Sequence, residues 1–203
     1  MGADFVMAAA AGPSLPLPRL WDRLRRRMAA MAAGESAGRE RAADREAVNR
    51  QAERMLTDYG GSVLRLAYSY LHNLSDAEEV LQDTLIRFLR TAPALESAAH
   101  ERAWLLRAAA NLSKNRLRYN RVRRTDELNE ELAAEEREDL SFVWEAVRDL
   151  PVKYREVIHL FYHEGCSTAQ IAGILDRKEA TVRSDLRRGR EKLREVLKEA
   201  YDF

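Results

Sequence analysis

The sequence predicts an all-α protein made of two small helical domains joined by an acidic linker, behind a flexible N-terminal extension. Three observations predict this. Apolar residues recur three and four apart almost everywhere after Tyr59, with little strand-type alternation. A basic block at 107–124 is followed at once by an acidic one at 126–139. Finally, STAQIAGILDRKEATVRSDLRRGR, residues 167–190, has the spacing of two helices with a tight break between them.

The chain has 203 residues, enough for one ordinary domain or two small ones. Apolar residues make up 46% and charged residues 33%, so there is core material and a heavily charged surface. Net charge is only +1, so any argument about an anionic partner must come from where the charges sit. Cys166 is the one cysteine, which excludes a disulfide framework within the chain and fits a reducing, cytoplasmic setting. No run of eighteen apolar residues is present, so no stable membrane insertion is expected. MGADFVMAAAAG lacks the basic region of a signal peptide.

Residues 1–49 read as the extension: AAAAGPSLPLP as loop, LWDRLRRRMAAMAA as a short basic amphipathic helix, GESAGRERAADRE as polar and unspecific. A translation start near Val48 or Met55 and a membrane-surface helix at 19–33 are the competing readings of this part. From Arg50 to Tyr70 an apolar stripe runs through Ala52, Met55, Leu56, Val63, Leu66 and Tyr70, with Gly60-Gly61 expected to loosen it. HNLSD breaks the chain, and Ser75 or Asp76 is the expected cap of the next helix. That helix, 76–90, buries Val80, Leu81, Thr84, Leu85, Phe88 and Leu89, leaving Gln82, Asp83, Ile86 and Arg87 outside the stripe. TAPALESAAH is expected to be a loop, and 101–124 a long helix.

That helix carries Arg107, Lys114, Arg116, Arg118, Arg121, Arg123 and Arg124 with no acidic residue among them. A block of one sign repels itself unless something negative binds it, so it reads as a functional surface, with a solvated helix face as the plain alternative. The acidic segment after it, 125–140, reads as a linker that lets two domains separate. In the second domain, 141–203, Phe142, Val143, Ala146, Val147 and Leu150 form one stripe. Pro151 opens a helix that carries Tyr154, Val157, Ile158, Phe161 and Tyr162, and Gly165 ends it.

The stretch from Ser167 follows. Ser167 is the expected N-cap, and Ile171, Ala172, Ile174 and Leu175 the buried face of a short helix. Asp176-Arg177-Lys178 is the turn. A second helix then places Ala180, Val182, Leu186 and Leu193 inward and Thr181, Arg183, Ser184, Arg187 and Arg188 outward. This is a helix–turn–helix pattern, with arginines suited to guanine edges and phosphates.

At this point the chain resembles a family: over roughly residues 50–200 it looks like a sigma factor of the sigma-70 family, of the extracytoplasmic-function (ECF) type. Three motifs carry the resemblance, in order. DAEEVLQDTLIRFLR (76–90) is similar to the helix that binds core RNA polymerase. ERAWLLRAAANLSKNRLRYNRVRR (101–124) is similar to the helix that opens and reads the −10 promoter element. LPVKYREVIHLFYHEGCSTAQIAGILDRKEATVRSDLRRGREKL (150–193) resembles the domain that reads the −35 element. The resemblance implies region 2 at 50–124 and region 4 at 141–203. It implies that Gln82, Asp83, Ile86 and Arg87 meet the clamp helices of the largest polymerase subunit, with burial the competing role for Ile86. Trp104, Asn111, Lys114, Asn115 and Arg118 would hold single-stranded −10 DNA with a flipped base. Plain core is the competing role for Trp104, and the loop 92–100 would complete the base pocket. Thr181, Arg183, Ser184, Arg187 and Arg188 would face the −35 element. The implied partners are core polymerase, including the flap of the second subunit, promoter DNA and an anti-sigma factor that could hold the protein at the membrane.

Two positions depart from the family pattern. Asp176 stands where glycine is common, which Asp tolerates in a left-handed turn. Asp185 stands where a basic residue is frequent; it either pairs with a neighbour such as Arg188 or accepts from a cytosine amine.

Catalytic residues, metal ligands and cofactors are not expected. His159 and His163 are four apart, but no third ligand follows by motif, HExxH is absent, and the pair reads as packing or surface. Cys166 has no His/Asn constellation, and there is no Gly-rich phosphate loop. The rival reading is a helix–turn–helix regulator that acts independently of core polymerase; it leaves the 76–90 motif unexplained, and polymerase dependence separates the two. A helical adaptor leaves the basic block unexplained.

Overall fold

A computed structural model describes residues 39–123 and 146–201, together with Arg26. Most of the expected extension, the acidic linker, Phe142 and Val143 lie outside the described residues. Among the described residues every regular element is helical.

Helix α1 spans Arg39–Leu71, beginning upstream of the expected start at 50. It runs straight through Gly60-Gly61. Each glycine costs a helix about 1 kcal/mol relative to alanine, but Met55, Leu56, Val63 and Leu64 on either side are buried, and their packing outweighs it. Helix α2 spans Leu74–Thr91. Its cap is Asn73, not Ser75 or Asp76: Asn73 is extended (φ −135°) and its side chain accepts from the Asp76 amide at 2.9 Å. The Asp76 carboxylate is thereby free to face α3. The buried face is as the sequence predicts, with Ala77 added, except that Leu89 is only half-buried. Ala92 closes the helix in the left-handed region, its N–H donating to the Phe88 carbonyl at 2.8 Å.

Helix α3, Ala98–Arg123, starts inside the segment expected to be loop. The reason is local: the Ser97 hydroxyl accepts from the His100 amide, so the helix is capped one turn earlier. Three antiparallel helices with short connections result. Glu101 clamps α3 to α1. Its buried carboxylate takes both Arg54 guanidinium nitrogens, at 2.6 and 2.9 Å, and the Gln51 amide at 2.8 Å. The Arg54 hydrogen bond holds the Glu101 carboxyl below its usual 4.5, against the opposing effect of burial. A depressed carboxylate contributes stability above its unfolded value that disappears as pH falls through the folded one. The wild type is therefore expected to lose stability below about pH 4.5 more steeply than Glu101→Gln, as denaturant midpoints at pH 7, 5 and 3.5 would read. Parallel midpoints would remove this role.

The second unit begins, among the described residues, with a helical stretch at 146–149 and buried Leu150. Pro151 takes the cap position of α4, Val152–Ile158. The helix continues as a π turn, His159–His163, and stops at Gly165, whose φ of +65° suits glycine. A π turn inserts one residue per turn and shifts the face. Phe161 and Tyr162 are consequently half-buried and exposed, while His159 and Leu160 take the interior. Helices α5, Thr168–Leu175, and α6, Glu179–Tyr201, complete the unit. Gly189 allows α6 to cross α4 closely: a Cβ there would sit 2.9 Å from Ile158 Cδ1 and 3.3 Å from Tyr154 Cβ. The two units pack on each other, α5 against α3 and α4 against α1, rather than standing apart as the linker suggested.

Candidate nucleic-acid and partner surfaces

The helix–turn–helix is built from α5, a three-residue turn and α6. Ser167 caps α5 as the sequence predicts, with a full capping box: its hydroxyl accepts from the Gln170 amide and the Gln170 side chain accepts from the Ser167 amide. Asp176 adopts the left-handed turn (φ 54°) that its short polar side chain tolerates. Ile171, Ile174, Leu175, Val182 and Leu186 are buried between the helices, with Ala172 and Leu193 half-buried. Ala180, expected inward, is exposed: with Val182 and Leu186 facing in, position 180 falls on the opposite side of a 3.6-residue helix.

On the outer face Thr181, Arg183, Arg187 and Arg188 are exposed and Ser184 is half-buried. Arg183 pairs with Glu179 at 3.2 Å and Arg187 with Glu191 at 2.6 Å, both between side chains open to solvent. Such exposed pairs contribute little and release their arginines readily. Asp185 is different. It is buried and pairs with Arg177 at 3.3 Å, not with Arg188, so it braces the turn instead of reading a base.

On α3, Trp104, Asn111, Asn115 and Arg118 are seven, four and three residues apart and share one stripe. Trp104 is half-buried, edge-on to Phe88 with ring centroids 5.8 Å apart. Asn111 is exposed, and Asn115 accepts from Arg118 at 3.0 Å. The basic block is not all surface. Arg116 bonds Asp76 at 2.8 Å and also pairs with Glu79, fixing α3 to α2. Arg107 donates to the Gly173 carbonyl of α5. On α2, Asp83 and Arg87 are exposed, Gln82 and Ile86 half-buried. A shallow cleft brings Asp83 and Asn115 together beside Val80 and the exposed Tyr119.

Sequence reasoning missed the contacts between the domains. Glu156 of α4 is almost fully buried. It accepts from the Tyr70 hydroxyl and from Arg177, and Lys114 Nζ lies 3.0 Å away. Burial, followed by the Glu156 charge, raises the Tyr70 phenol well above 10. Thus Lys114, expected on DNA, faces a carboxylate of the other domain. Glu164, also buried, accepts from Arg102 of α3 at 2.8 Å. Both glutamates lie in the aromatic run KYREVIHLFYHEG, where an acid is unusual. That was the available signal, though it does not reveal the partner.

The sigma-70 region 2 family model matches residues 55–123, and the sigma-70 region 4 model matches 143–193. The chain is 32% identical over 163 residues to the ECF RNA polymerase sigma factor SigL of Mycobacterium tuberculosis, covering 72% of this chain and 89% of that protein. It is 32% identical over 160 residues to the ECF sigma factor SigE of Mycolicibacterium smegmatis; the match takes in 71% of this chain and 61% of that relative's length. Among solved structures it is similar to the sigma factor RpoE of Bartonella quintana, in complex with the anti-sigma factor NepR. The TM-score is 0.59 at 27% identity, with 72% of this chain and 96% of that chain covered. Two family models in the same order as the two helical units, and relatives matched across both, show that the chain belongs to the sigma-70 family, in its ECF branch.

Proposed function

We propose that the protein is a promoter-specificity subunit of bacterial RNA polymerase, acting by binding and not by catalysis, in the cytoplasm. The observation that carries this is the placement of an exposed arginine face on a helix–turn–helix in a chain that also matches sigma-70 region 2. Gln82, Asp83, Ile86 and Arg87 would dock on the clamp helices of the largest core subunit, and the second unit on the flap of the next. The α3 stripe supplies an aromatic ring, amides and cations, the groups that hold an unpaired base and its phosphates. Trp104, Asn111, Lys114, Asn115 and Arg118 take that role at the −10 element, and Thr181, Arg183, Ser184, Arg187 and Arg188 enter the major groove at −35. An anti-sigma protein is the expected inhibitor, as the solved relative has one. No described helix is long and apolar enough to cross a membrane; that partner could hold the protein at one.

Run-off transcription tests the reading: core polymerase with genomic fragments, with and without the protein. New discrete transcripts that require the protein support it. Specific duplex binding by the protein alone, with no transcripts, would move the assignment to a polymerase-independent regulator. Arginine roles separate by salt. If Arg188 meets a phosphate, Arg188→Ala weakens binding equally across sequences and lowers the salt slope by about 0.9. If it forks onto guanine, it costs about 1–3 kcal/mol at one base position and relaxes the preference there. An unchanged affinity and slope would remove Arg188 from the interface.

A further inference from the structure

Glu164 is shared between the two domains. Its Oε2 accepts from Arg102 of α3 at 2.8 Å, and Arg65 of α1 lies 3.5 Å from Oε1. The same Oε1 is faced by two ring nitrogens of its own unit, His159 Nε2 at 3.7 Å and His163 Nδ1 at 3.4 Å. All three of those side chains are nearly sealed from water, and the rings stack at 4.9 Å with 9° between their planes. The charges around the pair come from both domains: Arg65 from α1, Arg102 from α3, and Glu164 from the same turn. The Cys166 thiol lies beyond, 3.7 Å from Arg102. Helix α5 brings no ionisable side chain, and Arg190 of α6 sits over Phe161 and Tyr162 on the aromatic side of the turn.

By residue type the two histidines and the glutamate form a metal-ligand set. The geometry argues otherwise. Parallel rings hold their lone pairs in parallel planes that one ion cannot share, and two guanidiniums already face the carboxylate. As built, the cluster balances protons and charge. With neutral rings it holds two guanidiniums and one carboxylate, a net charge of about +1. A ring proton raises that to about +2 in a site with little water to screen it. The excess is relieved when Arg65 and Arg102 move into solvent, and they belong to the other domain.

We propose that His159, stacked on His163, is a proton-operated release for the domain contact: its neutral ring keeps the 146–201 unit seated on the helical bundle, and its protonation lets it go. Burial lowers the His159 pKa from 6.5; the Glu164 carboxylate 3.7 Å away opposes this, while His163 and Arg65 add to it. Burial would raise the Glu164 carboxyl, but the His159 and His163 rings facing it and the nearby Ser62 outweigh that and hold it far below the carboxylate range, so it stays ionised. The direction follows. The seated state binds fewer protons than the released one, so the contact is fully present above about pH 6.5 and weakens as pH falls below it. The ratio of seated to released molecules drops by up to about 10-fold per pH unit for each proton taken up.

The test uses the full chain alone, without polymerase or DNA, so its outcome does not depend on the function proposed above. Small-angle scattering would follow the radius of gyration from pH 7.5 to 5.0, with helix content monitored by circular dichroism. Ring protonation of His159 would be read by NMR. Expected is an expansion at constant helix content that tracks the His159 titration, and a flat profile in His159→Gln/His163→Gln. A wild type that titrates at His159 without expanding overturns the proposal, as does the same expansion in the double variant. Should that variant fail to fold, the wild type still decides: an expansion whose midpoint does not coincide with the ring titration also overturns it.

Discussion

Phe88→Ala is expected to cost the three-helix bundle about 3–5 kcal/mol, the range for a large aromatic removed from a closed core. Phe88 is fully buried on α2, and its carbonyl also receives the Ala92 N–H that ends that helix. The ring meets Trp104 edge-on. Truncation leaves a cavity between α2 and α3 that the backbone cannot close, because Asp76–Arg116 and Glu101–Arg54 pin both helices. If Trp104 holds DNA as proposed, the effect reaches binding through it. Without Phe88 its indole loses the surface that orients it, and the α3 stripe loses its fixed aromatic. Chemical denaturation reads the stability term. Binding to a single-stranded −10 oligonucleotide, below the unfolding range, reads the second. A loss under 1 kcal/mol would mean that Phe88 is not at the centre of the bundle. Full stability loss with unchanged oligonucleotide binding would take Trp104 out of the site.

The helices and most of their inward faces were legible because amphipathic spacing is a local property. The buried set of α2 and the Ser167 cap follow from a handful of neighbouring residues. The left-handed turn at Asp176 is of the same kind. What failed was also local but finer. Asn73 displaced Ser75 and Asp76 as cap because the helix begins at Leu74, sooner than a Ser75 or Asp76 cap implies. The π turn at His159–His163 moved Phe161 and Tyr162 outward, and a fixed 3.6-residue period cannot anticipate an inserted residue. The outward arginines of α6 were readable from periodicity. The fate of Lys114 and Arg116 was not. Arg116 is internal and Lys114 is matched by Glu156, 42 positions further along the chain. A basic block in a sequence records charge, and whether the counter-charge is nucleic acid or another helix is decided by tertiary packing. Asp185 makes the same point in reverse, since its partner is Arg177 in the turn behind it and not an arginine on the outer face of α6.

Glu156→Gln is expected to weaken the seating of the second domain by about 2 kcal/mol and so to raise affinity for single-stranded promoter DNA. Removing one member of a buried charge pair costs about 3–5 kcal/mol when the charge left behind cannot reach water. Here Lys114 and Arg177 each keep roughly a quarter of their side-chain surface exposed, so a smaller value applies. Glutamine keeps the volume and can still accept from the Tyr70 hydroxyl, which separates loss of charge from loss of packing. Lys114 is the residue in dispute. In the seated arrangement Glu156 takes the place on it that a phosphate would need. Apparent affinity scales with the fraction of molecules in which the site is open, so 2 kcal/mol sets a ceiling of about 30-fold on the gain. Fluorescence anisotropy with a labelled oligonucleotide measures this, alongside Lys114→Ala in both backgrounds. If Glu156→Gln tightens binding only while Lys114 is present, the carboxylate and DNA compete for the same ammonium. Equal tightening without Lys114 would assign the gain to domain opening alone, with Arg177 and the α6 face as the groups released. No tightening in either background, with the domains shown to separate, would place Lys114 outside the −10 site.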